Sequence, residues 1–226
     1  MNIAVILSGC GVYDGAEIHE SVAVLYHIDQ LGHTAVLFAP DIPQHHVVNH
    51  INGATMPETR NVMVEAARIA RGNIRALGTF NPAEVDALVL PGGFGAAKNL
   101  TDWAFHGPDG QVQTETAQAI QSMVKAGKPI AALCMAPVVV AKALEGTEFH
   151  PTLSVGHPDQ ASPYPIADIH QGLQKTGAET ANIGLPEVLI DKKLKLVTAP
   201  CYMMEASISQ VFQNAEMAIH ALISLI

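Results

Sequence analysis

Short apolar runs that stop abruptly at turn residues, each followed by a helical pattern, are what most constrain this chain. Asn2-Ile-Ala-Val-Ile-Leu-Ser8 stops at Gly-Cys-Gly, Ala35 to Ala39 at Pro40, Val85 to Leu90 at Pro91-Gly-Gly93, and Pro129 to Leu133 at Cys134. Runs this short and this uniformly apolar read as strands buried on both faces of a parallel sheet. Between them, helical stretches are expected from Ala16 to Leu31, Pro57 to Arg71 and Gln111 to Ala126, each closed by a glycine. Further helices are expected from Cys134 to about Leu144 and from Met204 to Leu225. Leu153 to Val155 reads as strand. Val188 to Ile190 and Leu194 to Thr198 read as a pair joined at Asp191-Lys-Lys193, and the proline-rich stretch Pro151 to Ile166 as loop. Strands alternating with helices predict an α/β three-layer sandwich around a mostly parallel central sheet.

Composition removes several alternatives. With 49% hydrophobic and 15% charged residues, the 226-residue chain is not disordered. Twelve Lys+Arg against 21 Asp+Glu, a net charge of -9, disfavours nucleic acid as a partner. The longest apolar stretch, Ile130 to Ala141, contains Pro137 and is too short to span a bilayer, so no membrane association is expected. Leu7-Ser-Gly-Cys10 resembles a lipoprotein cleavage box, but no Lys or Arg precedes it and the apolar core before it is short. A cytoplasmic protein with three free thiols, Cys10, Cys134 and Cys201, is the expectation.

Sites in such sheets collect where strands end at their carboxyl edge, which directs attention to Gly9-Cys10-Gly11, Pro91-Gly-Gly-Phe-Gly95 and Cys134-Met135. The first glycines do not fit a dinucleotide fingerprint, and no Walker lysine is present. Ala132-Leu133-Cys134-Met135-Ala136 has the form of a nucleophile elbow, with small residues two positions either side of the cysteine. The Met135 N–H can donate to an oxyanion beside the sulfur, and Gly92-Gly93 can supply the other half of an oxyanion hole. Cys10 and Cys201 read as packing residues near strand ends. Glu17 and Glu20 are the candidate proton carriers, and helical periodicity does not decide between them. His157 and His150 can approach the thiol. His45, His46 and His50 lack the ligands of a recognisable zinc set, and no metal is expected.

Together these residues resemble the class I glutamine amidotransferase-like superfamily and, within it, the ElbB family. The resemblance runs through Leu7 to Glu20, Glu58 to Val62, Ala66 to Gly72, Pro91 to Leu100, Gly127 to Ile130 and Cys134 to Pro137. It implies one flavodoxin-like domain over residues 1–226 and a homodimer. It assigns the pocket carboxylate to Glu20, the oxyanion donors to Gly93 and Met135, and a histidine near the thiol to His157. Arg60, Asn61, Lys98 and Asn99 become pocket candidates beside Cys10 and Glu17. The implied activity is a cofactor-independent glyoxalase III-type conversion of small aldehydes, glyoxal and methylglyoxal, to hydroxy acids. The alternatives are a redox- or electrophile-sensing protein and an amidotransferase-like subunit. Ala199 to Glu205 contains no histidine, which argues against glutamine hydrolysis.

Overall fold

The buried runs pair side by side. In the computed structural model, which describes residues 1–226, the strands are β1 (Asn2–Ile6), β2 (Thr34–Ala39), β3 (Arg75–Ala76), β4 (Ala87–Leu90), β5 (Ile130–Leu133), β6 (Thr152–Leu153), β7 (Glu179–Thr180), β8 (Leu189–Asp191) and β9 (Leu196–Ala199). Seven form one sheet in the order β3-β2-β1-β4-β5-β9-β8, parallel except where β8 runs antiparallel to β9. The helices are α1 (Ile18–Gln30), α2 (Val62–Ile69), α3 (Trp103–His106), α4 (Thr114–Lys125), α5 (Pro137–Leu144), α6 (Ile166–Lys175) and α7 (Ile208–Ile223).

The connection β1–α1–β2 steps one way across the sheet and β4–α4–β5 steps the other. Right-handed crossovers therefore place α1 and α4 on opposite faces. α7 packs beside α1 and α5 beside α4, completing the expected three layers. The reversal of strand order between β1 and β4 is a topological switch point, where a crevice opens outside the strand ends. No helix is long and apolar enough to cross a membrane.

Several elements differ from the sequence reading. α2 starts at Val62 rather than Pro57, because Asn61 caps it by accepting from Val64 N at 3.0 Å. The residues before the cap are held extended: Gln44 N donates to Arg60 O at 2.7 Å. α7 starts at Ile208 rather than Met204, fixed by a capping box between Ser207 and Gln210. The structure adds α6 and β7, which the sequence pattern does not predict. α6 buries Ile166, Ile169 and Leu173, and β7 pairs with β6 in a separate two-stranded sheet. After β4 the chain makes one turn of π-helix, Ala96–Leu100.

Candidate active site

Cys134 follows the last residue of β5 with φ 55°, a left-handed conformation that costs a non-glycine residue on the order of 1–3 kcal/mol. Its backbone is held there by donation of its N–H to Ala199 O at 2.8 Å. α5 begins three residues later, with Pro137 at its first turn, where a missing N–H is tolerated. The turn directs the side chain out of the carboxyl edge of the sheet. Close approach from β4 then requires glycine. A Cβ on Gly92 would lie 2.4 Å from Cys134 Cβ and 2.8 Å from both Cys134 Sγ and a Glu20 carboxyl oxygen. The backbone N–H groups of Gly93 and Met135 lie near enough to the sulfur to favour its charged form, at positions from which an adjacent oxyanion would also be reached.

Glu20 lies in the first turn of α1, fully buried. Its Oε2 accepts from Gly92 N at 2.9 Å and its Oε1 from Tyr202 N at 3.3 Å, and it hydrogen-bonds the Cys134 thiol. Burial, followed by the neighbouring Glu17 charge, pushes the Glu20 carboxyl up to about 8. Burial also drives the Cys134 thiol well upward, with the Glu20 charge second. Two acids thus share one dry site. Below about pH 8 both keep their protons, and above it the pair holds one between them. Glu17 is the N-cap of α1. Its Oε2 accepts from Glu20 N at 2.7 Å, while its own N–H donates to Gly92 O at 2.9 Å. It forms part of the pocket wall, and Glu20 is the carboxylate that meets the sulfur.

The pocket before Cys134 is walled by Val12, Glu17, Phe94, Tyr164, Tyr202 and Met203. Its free volume of about 10 Å³ is room for roughly one water. It meets two wider clefts, of about 460 Å³ beside Tyr13, His19 and Glu205 and about 620 Å³ beside His46, Thr55 and Lys98. Tyr164 lines all three spaces, and burial raises its phenol to about 12. Tyr202 donates to Glu20 through its backbone N–H and lines the pocket, and its hydroxyl meets His19 Nδ1 at 2.9 Å. The sequence reading missed Tyr202 and Tyr164. Applying the strand-exit rule to β9 as well would have reached Pro200-Cys201-Tyr202.

The remaining candidates separate. His157 does not line the Cys134 pocket: its Nδ1 accepts from Asp159 N at 3.2 Å within its own turn. His150 is exposed beside Gly177. Arg60 pairs with Glu58 at 2.9 Å and Glu65 at 3.3 Å, and Asn61 donates to Asp41 at 2.7 Å while capping α2. Neither lines the pocket. Cys10 lies beside Glu65 and Arg68, its thiol raised chiefly by burial, away from the pocket wall. Asn99 is a brace: its Nδ2 donates to Ser8 O and Asp14 O, both at 2.9 Å, and its Oδ1 accepts from His45 N at 3.0 Å. Lys98 lines the 620 Å³ cleft. His50 accepts from Tyr13 N at 3.2 Å, and no three His, Cys, Asp or Glu side chains form a metal-holding group.

A cysteine elbow facing a Gly-Gly strand exit on this sheet defines a class I glutamine amidotransferase-like α/β protein. An isoprenoid biosynthesis protein with an amidotransferase-like domain from Ehrlichia chaffeensis matches the structure with a TM-score of 0.90 at 30% identity, over 100% of this chain and 99% of that one. Drosophila melanogaster DJ-1beta shares the fold, with a TM-score of 0.54 at 16% identity over 99% and 94% of the two chains. Human glutamine amidotransferase-like class 1 domain-containing protein 3, mitochondrial, is 42% identical over 211 residues, 92% of this chain and 77% of the relative. The zebrafish ES1 protein, mitochondrial, is 29% identical over 209 residues, 90% of this chain and 77% of its own. The chain therefore belongs to the class I glutamine amidotransferase-like family. No family model matches it. The names of the human and zebrafish relatives place those two proteins in mitochondria, so the expected cytoplasmic residence gains no support from them.

Proposed function

We propose that the protein converts small 2-oxoaldehydes to 2-hydroxy acids through a Cys134 adduct, the glyoxalase III-type chemistry that the ElbB resemblance implies. The observation that carries this reading is the dry pairing of Cys134 with Glu20, with two amide N–H groups near the sulfur. In the one-proton state the Glu20 carboxylate accepts the S–H proton as Sγ bonds to the aldehyde carbon. Glu20 returns that proton to the carbonyl oxygen, giving a hemithioacetal. The freed carboxylate removes the hydrogen from C1 as a proton and passes it to the C2 oxygen, while the C1–H electron pair moves to form an enediol. The same carboxylate then takes the C1 hydroxyl proton and delivers it to C2, which leaves a thioester. Water then cleaves the C–S bond, releasing glycolate from glyoxal or lactate from methylglyoxal and restoring the thiol. Oxidation at C1 balances reduction at C2, so no external electron carrier enters.

The pocket as it stands has room for about one water, so a reacting end of two or three carbons enters only with movement of the Tyr164 and Tyr202 rings that wall it. A glutaminase reading lacks a histidine among the pocket walls. A sensor reading is disfavoured by burial that raises the thiol instead of exposing a low-pKa thiolate. Product identification by NMR after incubation with methylglyoxal tests the proposal. Lactate should form with the wild-type protein and not with Cys134→Ala, and equal rates from the two would refute it. Turnover should rise as pH passes through about 8, because loss of the first proton from the pair frees Glu20 as the base.

A further inference from the structure

A groove of uneven charge crosses the mouth of the Cys134 pocket. One arm carries the carboxylates of Glu17 and Glu205. The other carries Lys98, with His46 and Thr55. The arms meet at Tyr13 and Tyr164, and the Lys98 arm joins the Cys134 pocket at Phe94 and Tyr164. No other Lys or Arg lines the pocket or either arm.

Lys98 takes part in none of the chain's ion pairs. Its Nζ donates to Tyr13 O at 2.9 Å and sits 5.2 Å from the centre of the Phe94 ring. That contact occupies one of three N–H groups and leaves two to donate into the cleft. Burial lowers its pKa, and the charge of Asp14, which forms no ion pair with it, only partly offsets that loss of hydration. An anion in the cleft would restore that loss. The backbone presents this cation from an unusual turn. Lys98 sits in the π-helical segment, a geometry frequent at functional sites, and the three hydrogen bonds of neighbouring Asn99 pin that segment to β1's exit and the His45 loop.

We propose that the Lys98 arm is an anion subsite, and that the protein takes carbonyl substrates bearing a carboxylate or phosphate several bonds from the reacting carbon. The anion seats on Lys98 and the carbonyl carbon reaches Cys134 Sγ past Phe94 and Tyr164. Glu17 and Glu205 repel the same anion from the opposite arm, so the groove selects one orientation as well as one charge. The cleft's free volume of about 620 Å³ accommodates the body of such a molecule while only its reacting end enters the narrow pocket.

This inference rests on Cys134 as the reacting thiol, and the test separates the two. Purified protein at about pH 8 is treated with N-iodoacetylglycine, its neutral amide, or N-iodoacetyl-O-phosphoethanolamine, and labelling of the Cys134 peptide is timed by mass spectrometry. At least one anionic probe should react roughly three- to tenfold faster than the neutral one. Lys98→Met should bring that ratio to about one, and Lys98→Arg should keep it. The anion giving the larger ratio identifies carboxylate or phosphate as the group recognised. A wild-type ratio of one, or a ratio unmoved by Lys98→Met, overturns the subsite while leaving the thiol intact. If no probe labels Cys134, the thiol reading fails. The subsite is then judged by NMR titration with N-acetylglycine and O-phosphoethanolamine: shifts at Lys98 and Thr55 that vanish in Lys98→Met uphold it, and their absence in wild type overturns it.

Discussion

Cys134 and Cys201 follow the neighbouring parallel strands β5 and β9, and both adopt left-handed backbone angles, with φ of 55° and 44°. Both are buried, and burial raises both thiols well above the ordinary range, with Glu20's charge adding to each. Their surroundings then diverge. Cys134 has two backbone N–H groups near its sulfur and lines a pocket. Cys201 is wholly enclosed and lines none of the spaces around Cys134. Its own N–H donates to Asn214 Oδ1 at 2.9 Å, tying the β9 exit to α7. The strained turn at Cys201 serves its neighbour, because it delivers the Tyr202 N–H to Glu20. Backbone strain alone therefore does not distinguish the two cysteines; the amide groups near the sulfur and a pocket leading to it do.

The sharpest way to break this comparison is to remove each sulfur in turn. Cys134→Ala should lower oxoaldehyde turnover about a thousandfold or more, whereas Cys201→Ala should leave it within a few-fold of wild type. Equal losses in steady-state assays would show that the two cysteines act together. Gly92→Ala should come next. Its added methyl would displace Cys134 and Glu20, reducing Cys134 alkylation about a hundredfold and destabilising the fold by about 1–3 kcal/mol. Wild-type alkylation in that variant would mean the close approach of β4 has no role.

Glu20→Gln should produce a smaller, pH-shaped effect. The raised Glu20 pKa contributes stability that is fully present below about 4.5 and is lost as pH rises through about 8. The variant's melting temperature should therefore vary less than wild type's across that window. Both carboxyl oxygens accept backbone N–H groups, so the amide leaves one donor facing it unpaired, at about 1–3 kcal/mol. Parallel melting curves for the two proteins would remove Glu20 as the titrating group. Cys201→Ala should have the smallest effect, a cavity cost of about 1 kcal/mol seen as a melting point roughly 2–4 °C lower.

Much of the scaffold was legible because strand exits and glycine closures are local signals. The β5 elbow and the Gly92-Gly93 exit could be read from a few adjacent residues. The choice between Glu17 and Glu20 could not, because α1 has apolar residues on both faces: Ile18, Val22 and Tyr26 are exposed while Glu20 and His27 are buried with Val24 and Ile28. A helix that hides its acid misleads any periodicity built on apolar residues, and only the family resemblance pointed to Glu20. Tyr202 lies 182 residues from the carboxylate it touches, a contact that no local pattern encodes. α6 carries a weak sequence signal because it is short, its apolar stripe is only Ile166, Ile169 and Leu173, and Gly172 sits inside it. The π-turn has no sequence signal of its own, so Lys98 could be singled out without its orientation being known.

The most direct test follows alkylation of all three cysteines by iodoacetamide in one sample across pH, with each site quantified by mass spectrometry. Cys134 should be modified with a rate that rises through about pH 8, as Glu20 becomes available to take the thiol proton, while Cys201 stays unmodified in the folded protein. Equal labelling of Cys134 and Cys201, or a Cys134 profile unchanged by Glu20→Gln, would contradict a nucleophile made by its donors, its pocket and its paired acid.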